Sequence, residues 1–450
     1  MMNVLNEKLA VDGGNPAVPK HLSDHDWERL RKAVPEEIDA VVEVLKSGHF
    51  SIVMGRGMPN SEGLEKEFAE WTGAKYALAV NSGTAALHCA VAGVGVETGD
   101  EVIVPAFTFI ASAMAVLHHN AIPVFVDIDP KNYLIDPAAI EAKITPRTKA
   151  IMPVHIYGLP CDMDEINAIA KKHGLKVIED AAQAYGPTYK GKKAGNLGDA
   201  ACFAMTTTKH LMTGEGGLFT TNDEEIYRRA SMIRLFGEFC DMKITDREYM
   251  SEWIGWNYKM PEVISALGRV KLRNLDKFLD DIKQNAEHFT AQVKDIPGVI
   301  TPFTSEDRTH SYYHYPVQLD PEAMGLDIPV EKLRNAVIKA LAAEGVLAFQ
   351  WQKVPVPAQP VFRDKIAYGR KCPWDCPHTD AKVEYNGWDY PNAVKAIKSH
   401  FVVRGMFPQN NLEKMDAYAN AFLKVFTNID RVIELYERNE NFIPLEEKMK

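Results

Sequence analysis

The chain has 450 residues, 46% of them hydrophobic and 25% charged, an ordinary globular composition long enough for a large core and more than one domain. A formal net charge of −10 argues against a bulk nucleic-acid binder or a protein that coats an anionic membrane. Six thinly spread cysteines (Cys89, Cys161, Cys202, Cys240, Cys372 and Cys376) argue against a disulfide scaffold and point to a reducing, cytoplasmic setting.

Met1 to Pro19 carries no basic-then-apolar signal pattern. Glu62 to Thr72 reads as a helix. Tyr76 to Val80 predicts a strand, Asn81-Ser82-Gly83-Thr84 a turn, and the segment from Ala85 a helix of small residues. Glu101 to Val104 predicts a strand and Ala111 to His118 a helix. The apolar run from Val102 to Leu117 is interrupted by Pro105, Thr108 and Ser112, and it is too short to span a bilayer. Ile122 to Val126 predicts a strand, Pro137 to Ile144 a helix, Ala150 to Val154 a strand, Asp164 to His173 a helix, and Lys176 to Glu179 a strand. Short Val- and Ile-rich strand cores alternating with helices predict an α/β fold. Its sheet is mostly parallel and covered on both faces.

Past Lys209, Gly217 to Thr221 reads as a strand and Glu224 to Arg234 as a helix. A long helical region runs from Pro261 to about Val293. From about Pro297 the pattern becomes α+β, with a strand at Tyr313 to Leu319 and a helix at Val330 to Glu344. A long Pro- and Trp-containing stretch follows, from Trp351 to about Tyr390, and Glu437 to Lys450 reads as a frayed tail. The expected division is residues 1–275, an N-terminal arm and large domain, and residues 276–450, a smaller C-terminal domain.

In open α/β sheets, ligands bind at the carboxyl ends of the strands. Four candidate groups fall at such ends. Ser82, Gly83 and Thr84 offer amides and hydroxyls to a phosphate at a helix start. Phe109, in Pro105-Ala106-Phe107-Thr108-Phe109, offers an aromatic face. Asp180, in Glu179-Asp180-Ala181-Ala182-Gln183, follows a buried strand. Lys209 sits in Thr206-Thr207-Thr208-Lys209-His210, just before Gly214-Glu215-Gly216-Gly217. Taken singly each has a plainer explanation: a helix cap, a core aromatic, a turn aspartate, a solvated lysine. Together they are what pyridoxal phosphate (PLP) requires, an amine for its aldehyde and a carboxylate for its ring nitrogen.

The set resembles the DegT/StrS-type sugar aminotransferases, a branch of the fold-type I PLP enzymes. The matching segments are Asn81–Ala86, Gly99–Phe109, Pro153-Val-His-Ile-Tyr-Gly158, Glu179–Gln183, Thr208-Lys209, Thr213–Gly217 and Gly255-Trp-Asn-Tyr-Lys-Met260. The resemblance implies a PLP-transferase fold with a small C-terminal α+β domain. It also implies roles. Lys209 would hold the cofactor as a Schiff base and shuttle the proton. Asp180 would pair with the ring nitrogen, and Gln183 would meet the ring's phenolic oxygen. Phe109 would stack on the ring, while Ser82, Gly83 and Thr84 would hold the phosphate. Lys259 would reach the phosphate of a partner subunit, so the resemblance further implies a homodimer with shared sites. One departure stands out: Ala204 occupies the position where the family usually carries a phosphate-binding serine, with Thr206 or Thr207 as possible substitutes.

The implied reaction moves an amino group from glutamine or glutamate to a keto sugar or keto-cyclitol. The long stretch from Trp351 looks more like the cyclitol and aminohydroxybenzoate-type members. A PLP-dependent sugar dehydratase or aromatising dehydratase on the same scaffold is the competing reaction, but related dehydratases carry histidine in place of the lysine. A non-catalytic PLP-fold sensor or scaffold would have no use for an intact Lys209, Asp180 and Gln183. His400 and Arg404 read as donor-carboxylate contacts or as surface charge. Gly186-Pro-Thr-Tyr-Lys-Gly191-Lys192-Lys193 imitates a phosphate loop but lacks its Ser/Thr, and reads as a hairpin with a basic tip. Gly55-Arg-Gly57 fails the dinucleotide pattern at Asn60. Cys372, Cys376 and His378 lack a fourth ligand, so no metal is expected.

Overall fold

The computed structural model describes residues 7–23, 32–51, 58–239, 249–377, 379, 382–406, 410–440 and 442–449. Its large sheet is built from β1 (Tyr76–Val80), β2 (Glu101–Pro105), β3 (Ile122–Val126), β4 (Thr148–Ile151) and β5 (Lys176–Asp180). A separate hairpin, β6 (Thr188–Tyr189) and β7 (Lys192–Lys193), intervenes before β8 (Ala200–Ala204) and β9 (Gly217–Thr221) complete the sheet. The order is β1-β9-β8-β5-β4-β2-β3. β9 runs antiparallel to both of its neighbours, and every other pair is parallel. The carboxyl ends of the six parallel strands therefore share one edge. Because β9 is reversed, its first residue lies at that edge too, with Gly217 opposite both Val80 and Ala204. A Cβ on Gly217 would stand 2.3 Å from the Ser82 carbonyl oxygen, so only glycine fits there.

The helix Gly83–Gly93 is buried along its whole length except at Thr84. Its small residues let it lie close against the sheet: a Cβ on Gly83 would meet the Ala204 Cβ at 2.6 Å. The predicted strands fall in place within a few residues. β8 was not legible, because Ala-Ala-Cys-Phe-Ala is weakly strand-forming. It forms through complete burial between β5 and β9. The long helical region from Pro261 is two helices, Glu262–Arg273 and Leu275–Val293. They part at Asn274, whose side-chain amide donates to the Val270 carbonyl at 3.1 Å.

A second core surrounds β10 (Val299–Ile300), β11 (Tyr315–Leu319), β12 (Ala348–Phe349) and β13 (His400–Val403), an antiparallel sheet in the order β10-β11-β13-β12. Phe289, Tyr315, Leu333, Phe401 and Phe422 fill it, and Leu9, Val18 and Leu22 of the N-terminal arm join it. The stretch after β12 instead crosses back to the large sheet. Phe362, Tyr385 and Tyr390 pack edge-on against Phe125 of β3, and the Tyr385 hydroxyl donates to Pro123 O at 2.8 Å. The tail is not frayed as its composition suggested. Residues Ile429–Asn439 are helical, and Leu445 is buried with its N–H donating to Glu331 Oε1. Among the described residues, no helix is long and apolar enough to cross a membrane.

A buried ion pair holds the arm, in addition to the partly exposed pair of Asp12 with Arg431. Lys424 Nζ and Glu344 Oε2 are 3.0 Å apart, and both side chains are 0% exposed. Glu344 accepts the Ala10 and Ala17 N–H groups at 2.8 Å each, and Lys424 donates to Asn15 O at 2.7 Å. Removing one partner strands a buried charge. Lys424→Met is expected to cost about 3–5 kcal/mol in urea unfolding and to open the arm to limited proteolysis. A loss below about 1 kcal/mol, the size of a surface pair, would show that the arm is held by its apolar contacts instead.

Candidate active site

The helix start beyond β1 is organised by Ser82. Its Oγ accepts the Ala85 N–H at 3.1 Å, and its carbonyl accepts the Ala86 N–H at 3.0 Å. Ser82 is therefore the helix cap, the plainer of its two expected uses. The Gly83 and Thr84 amides have no acceptor among the described residues, at the end of the helix that carries partial positive charge. Position 204 adds only a methyl group, packed under Gly83.

Asp180 ends β5 and is buried. Its Oδ2 accepts the Ser112 hydroxyl at 2.7 Å and its Oδ1 accepts the Ala182 N–H at 3.1 Å. Burial pushes the carboxyl pKa above its ordinary value, while Ser112, the Ala182 amide, Lys209 and His155 pull it back. Thr108 Oγ1 lies 3.0 Å from Ser112 Oγ, so the Ser112 proton can go to Asp180 while Thr108 donates behind it. Gln183 is buried beside it. The Tyr157 N–H donates to Gln183 Oε1 at 2.8 Å, which fixes the amide and leaves Nε2 as its donor end. Tyr157 adopts φ +57°, costly for a non-glycine residue. Its ring is fully buried and its hydroxyl lies 2.7 Å from His400 Nε2. The other His400 nitrogen meets Ala396 O at 2.5 Å, so Nε2 is the acceptor for Tyr157.

Lys209 is half-buried in the loop between β8 and β9. Its Nζ stands 4.1 Å from the centroid of the Tyr313 ring. The Tyr313 hydroxyl is 3.1 Å from Thr208 Oγ1. Burial raises the Tyr313 phenol, but Lys209, Thr208 and Arg404 outweigh it and hold the pKa below its ordinary value. Lys209, Tyr313, Arg404, Gly405 and Met406 line one cleft. In the loop after β2, Phe109 is 56% exposed, while Phe107 is the core aromatic. Lys259 is bridged by its backbone to Val80, and its Nζ donates to Asn257 Oδ1 at 2.5 Å.

The edge thus gathers Ser82, Gly83, Thr84, Asp180, Gln183 and Lys209. Ser112, Tyr157 and Tyr313 were missed; the signal for Ser112 was a hydroxyl inside an apolar run. His400 is not a surface charge or a donor contact but a buried prop for Tyr157. The Gly186–Lys193 segment is the hairpin of β6 and β7, with Lys190 and Gly191 at φ +48° and +81°, and Lys190 pairs with Asp164. Among the described residues, no three His, Cys, Asp or Glu side chains could share a metal ion. Cys240, His378 and Gly55–Gly57 lie outside the described residues.

Such an edge suits pyridoxal phosphate. The Gly83 and Thr84 amides fit its phosphate, the buried Asp180 its protonated ring nitrogen, and Lys209 its aldehyde. The fold is that of the fold-type I PLP enzymes, so the class is a PLP-dependent transferase. The chain belongs to the DegT/DnrJ/EryC1/StrS aminotransferase family, whose pattern matches residues 32–384. It is 40% identical over 326 residues to GDP-perosamine synthase of Caulobacter vibrioides, covering 71% of this chain and 84% of that protein. It is 32% identical over 437 residues to the L-glutamine:scyllo-inosose aminotransferase of Streptomyces griseus, covering 95% of this chain and 100% of that protein. The crystal structure of 3-amino-5-hydroxybenzoic acid synthase superposes with a TM-score of 0.76 at 28% identity, over 91% of this chain and 98% of that one.

Histidines packed around the site are kept neutral by burial. His210 and His400 are pushed down to about 4 and His310 to about 3, while His314 lies well below its ordinary value. Above pH 6.5 neither folded nor unfolded chain protonates them, so their contribution is intact. Below it the unfolded chain takes up protons that the folded chain refuses, and stability is lost down to about pH 4. Each such histidine costs about 2 kcal/mol at pH 5. Urea midpoints are expected to fall steeply between pH 7 and pH 5; a flat profile over that range would contradict these depressed values.

Proposed function

We propose that the chain transfers an amino group from glutamine or glutamate to a keto-cyclitol or keto sugar, in the cytoplasm, as a homodimer. The reading rests above all on Lys209, an amine held on the Tyr313 ring face within electrostatic reach of the buried Asp180. When bound, PLP supplies a protonated ring that takes up the electron pair released as the donor's Cα–H bond breaks. Lys209 would anchor the cofactor and carry the proton away from Cα. A positioned base of this kind is worth about 10²–10⁴-fold in rate. Asp180 would keep its charge against the ring N–H, Gln183 Nε2 would donate to the phenolic oxygen, and Phe109 would cover one ring face. Gly83 and Thr84 would hold the phosphate, with Ser82 capping the helix they begin. Arg404, in the Lys209 cleft, suits the donor's α-carboxylate.

The cyclitol preference is supported by the length of the likeness to the Streptomyces griseus enzyme. At 95% of the chain it takes in the Trp351–Tyr390 stretch. Exposed Phe236, Trp253 and Ile254 near Lys259 form an apolar face that a second copy would cover, and Lys259 would then reach the partner's phosphate. The division near residue 275 would put the cofactor on the large domain and let the small domain close over it.

Two experiments check the reading. Borohydride reduction of PLP-loaded protein, followed by peptide mapping, is expected to place the cofactor on Lys209, and Lys209→Ala to abolish turnover with the fold intact. A label on another lysine, or near-full activity in the variant, would discard the assignment. With glutamine as donor, scyllo-inosose is expected to be aminated in preference to GDP-linked keto sugars. Exclusive use of the nucleotide-linked ketones would reject the cyclitol preference.

A further inference from the structure

The stretch that leaves β12 enters the ligand edge from the β2–β3 side of the sheet. Trp351 packs its ring on Phe107 and Tyr157, with centroids 5.8 and 5.5 Å apart. Gln352 Nε2 donates to the Thr108 carbonyl at 2.7 Å, and the Val356 N–H donates to Ala106 O at 2.9 Å. Farther on, the stretch is tied down on β3: the Trp374 indole donates to Tyr385, Tyr385 donates to Pro123 O, and Asp127 accepts the Asn392 and Ala393 amides. Gln352 is therefore held on a rigid strap. It sits against the loop that carries exposed Phe109 and, one hydroxyl behind, the Ser112–Asp180 hydrogen bond.

We propose that Gln352 is a specificity-determining residue for the amino acceptor, reading a ring hydroxyl of a neutral, polyhydroxylated cyclic ketone. The inference rests on the aminotransferase reading above and deepens it. Gln352 Nε2 gives one of its two protons to the Thr108 carbonyl, which fixes the amide, and Oε1 is left to accept from a substrate hydroxyl. A polyol brings hydroxyl donors. A nucleotide-linked sugar brings a diphosphate, which calls for cations and backbone N–H groups rather than an amide oxygen. Gln352 is half-buried, so a hydroxyl reaching it leaves bulk water and loses binding when the partner is missing. The donor's carboxylate has a separate cation in Arg404, which leaves Gln352 for the uncharged substrate.

The test separates the two halves of the reaction in the PLP-loaded enzyme. Glutamine alone reads the donor half through the change in cofactor absorbance. Steady-state turnover with scyllo-inosose, and with a GDP-linked 4-keto-6-deoxyhexose, reads the acceptor half. Gln352→Ala, and the near-isosteric Gln352→Met, are expected to raise the KM for scyllo-inosose about tenfold, the worth of one hydrogen bond in a sheltered site. The donor half-reaction and the thermal midpoint should stay as they are. An unchanged acceptor KM would overturn the proposal. So would a donor half-reaction that falls in step, since Gln352 would then merely support the Thr108 loop. An unaltered enzyme that performs the donor half but aminates only the GDP-linked ketone would overturn the neutral-acceptor class. An unaltered enzyme with no donor half-reaction would bring down the aminotransferase reading itself, and this inference with it.

Discussion

A carboxylate buried at the end of β5 is the constraint around which the rest of the molecule is arranged. Burial alone would neutralise Asp180, and a neutral acid could not hold a cationic ring nitrogen. Two donors, the Ser112 hydroxyl and the Ala182 amide, and the nearby Lys209 amine reduce that cost. The donors come from separate segments, Ser112 from the helix Ala111–His118 that follows β2 and Ala182 from the turn after β5, so the sheet must be in register before the acid can be satisfied. The parallel strands deliver those loops to one edge. The reversed β9 closes the Lys209 loop back onto the same place, at a glycine that nothing larger could replace.

A second layer holds the first. Gln183 is oriented by a backbone amide of Tyr157. Tyr157 stays in its left-handed conformation because its ring is packed and its hydroxyl is tied to His400 of β13 in the second sheet. The Lys209 amine itself lies over the ring of Tyr313, just ahead of β11. Residues at or beside both sheets thus contribute to the placement of Gln183 and Lys209. Burial keeps the histidines near the site neutral, and for His314 the charges of Arg404 and Lys209 add to it. The arrangement is stable at neutral pH and loses its advantage in acid.

Much of this was legible in the residues. Strands such as Ile122–Val126 are apolar and β-branched, and Asp180, Gln183 and Lys209 stand in a recognisable order at strand ends. What escaped was set by tertiary context. β8 is alanine-rich and becomes a strand only because it is enclosed. Ser112 looked like an interruption in an apolar helix, yet it is the donor that sustains Asp180. His400 looked like surface charge because a lone histidine beside a lysine-bearing helix carries no mark of burial. The tail from Glu437 looked solvated because its composition is charged, while a single leucine, Leu445, docks it. Local sequence reports which groups are present; which of them pair across hundreds of residues depends on the fold.

The central claim is that Asp180 keeps the ring nitrogen of the cofactor protonated. Nitrogen-15 NMR of the protein loaded with ring-labelled PLP reads that proton directly. A protonated ring nitrogen is expected in the unaltered protein and an unprotonated one in Asp180→Asn, with the cofactor still attached to Lys209. The same protonation state in both, or an unprotonated nitrogen in the unaltered protein, would contradict it.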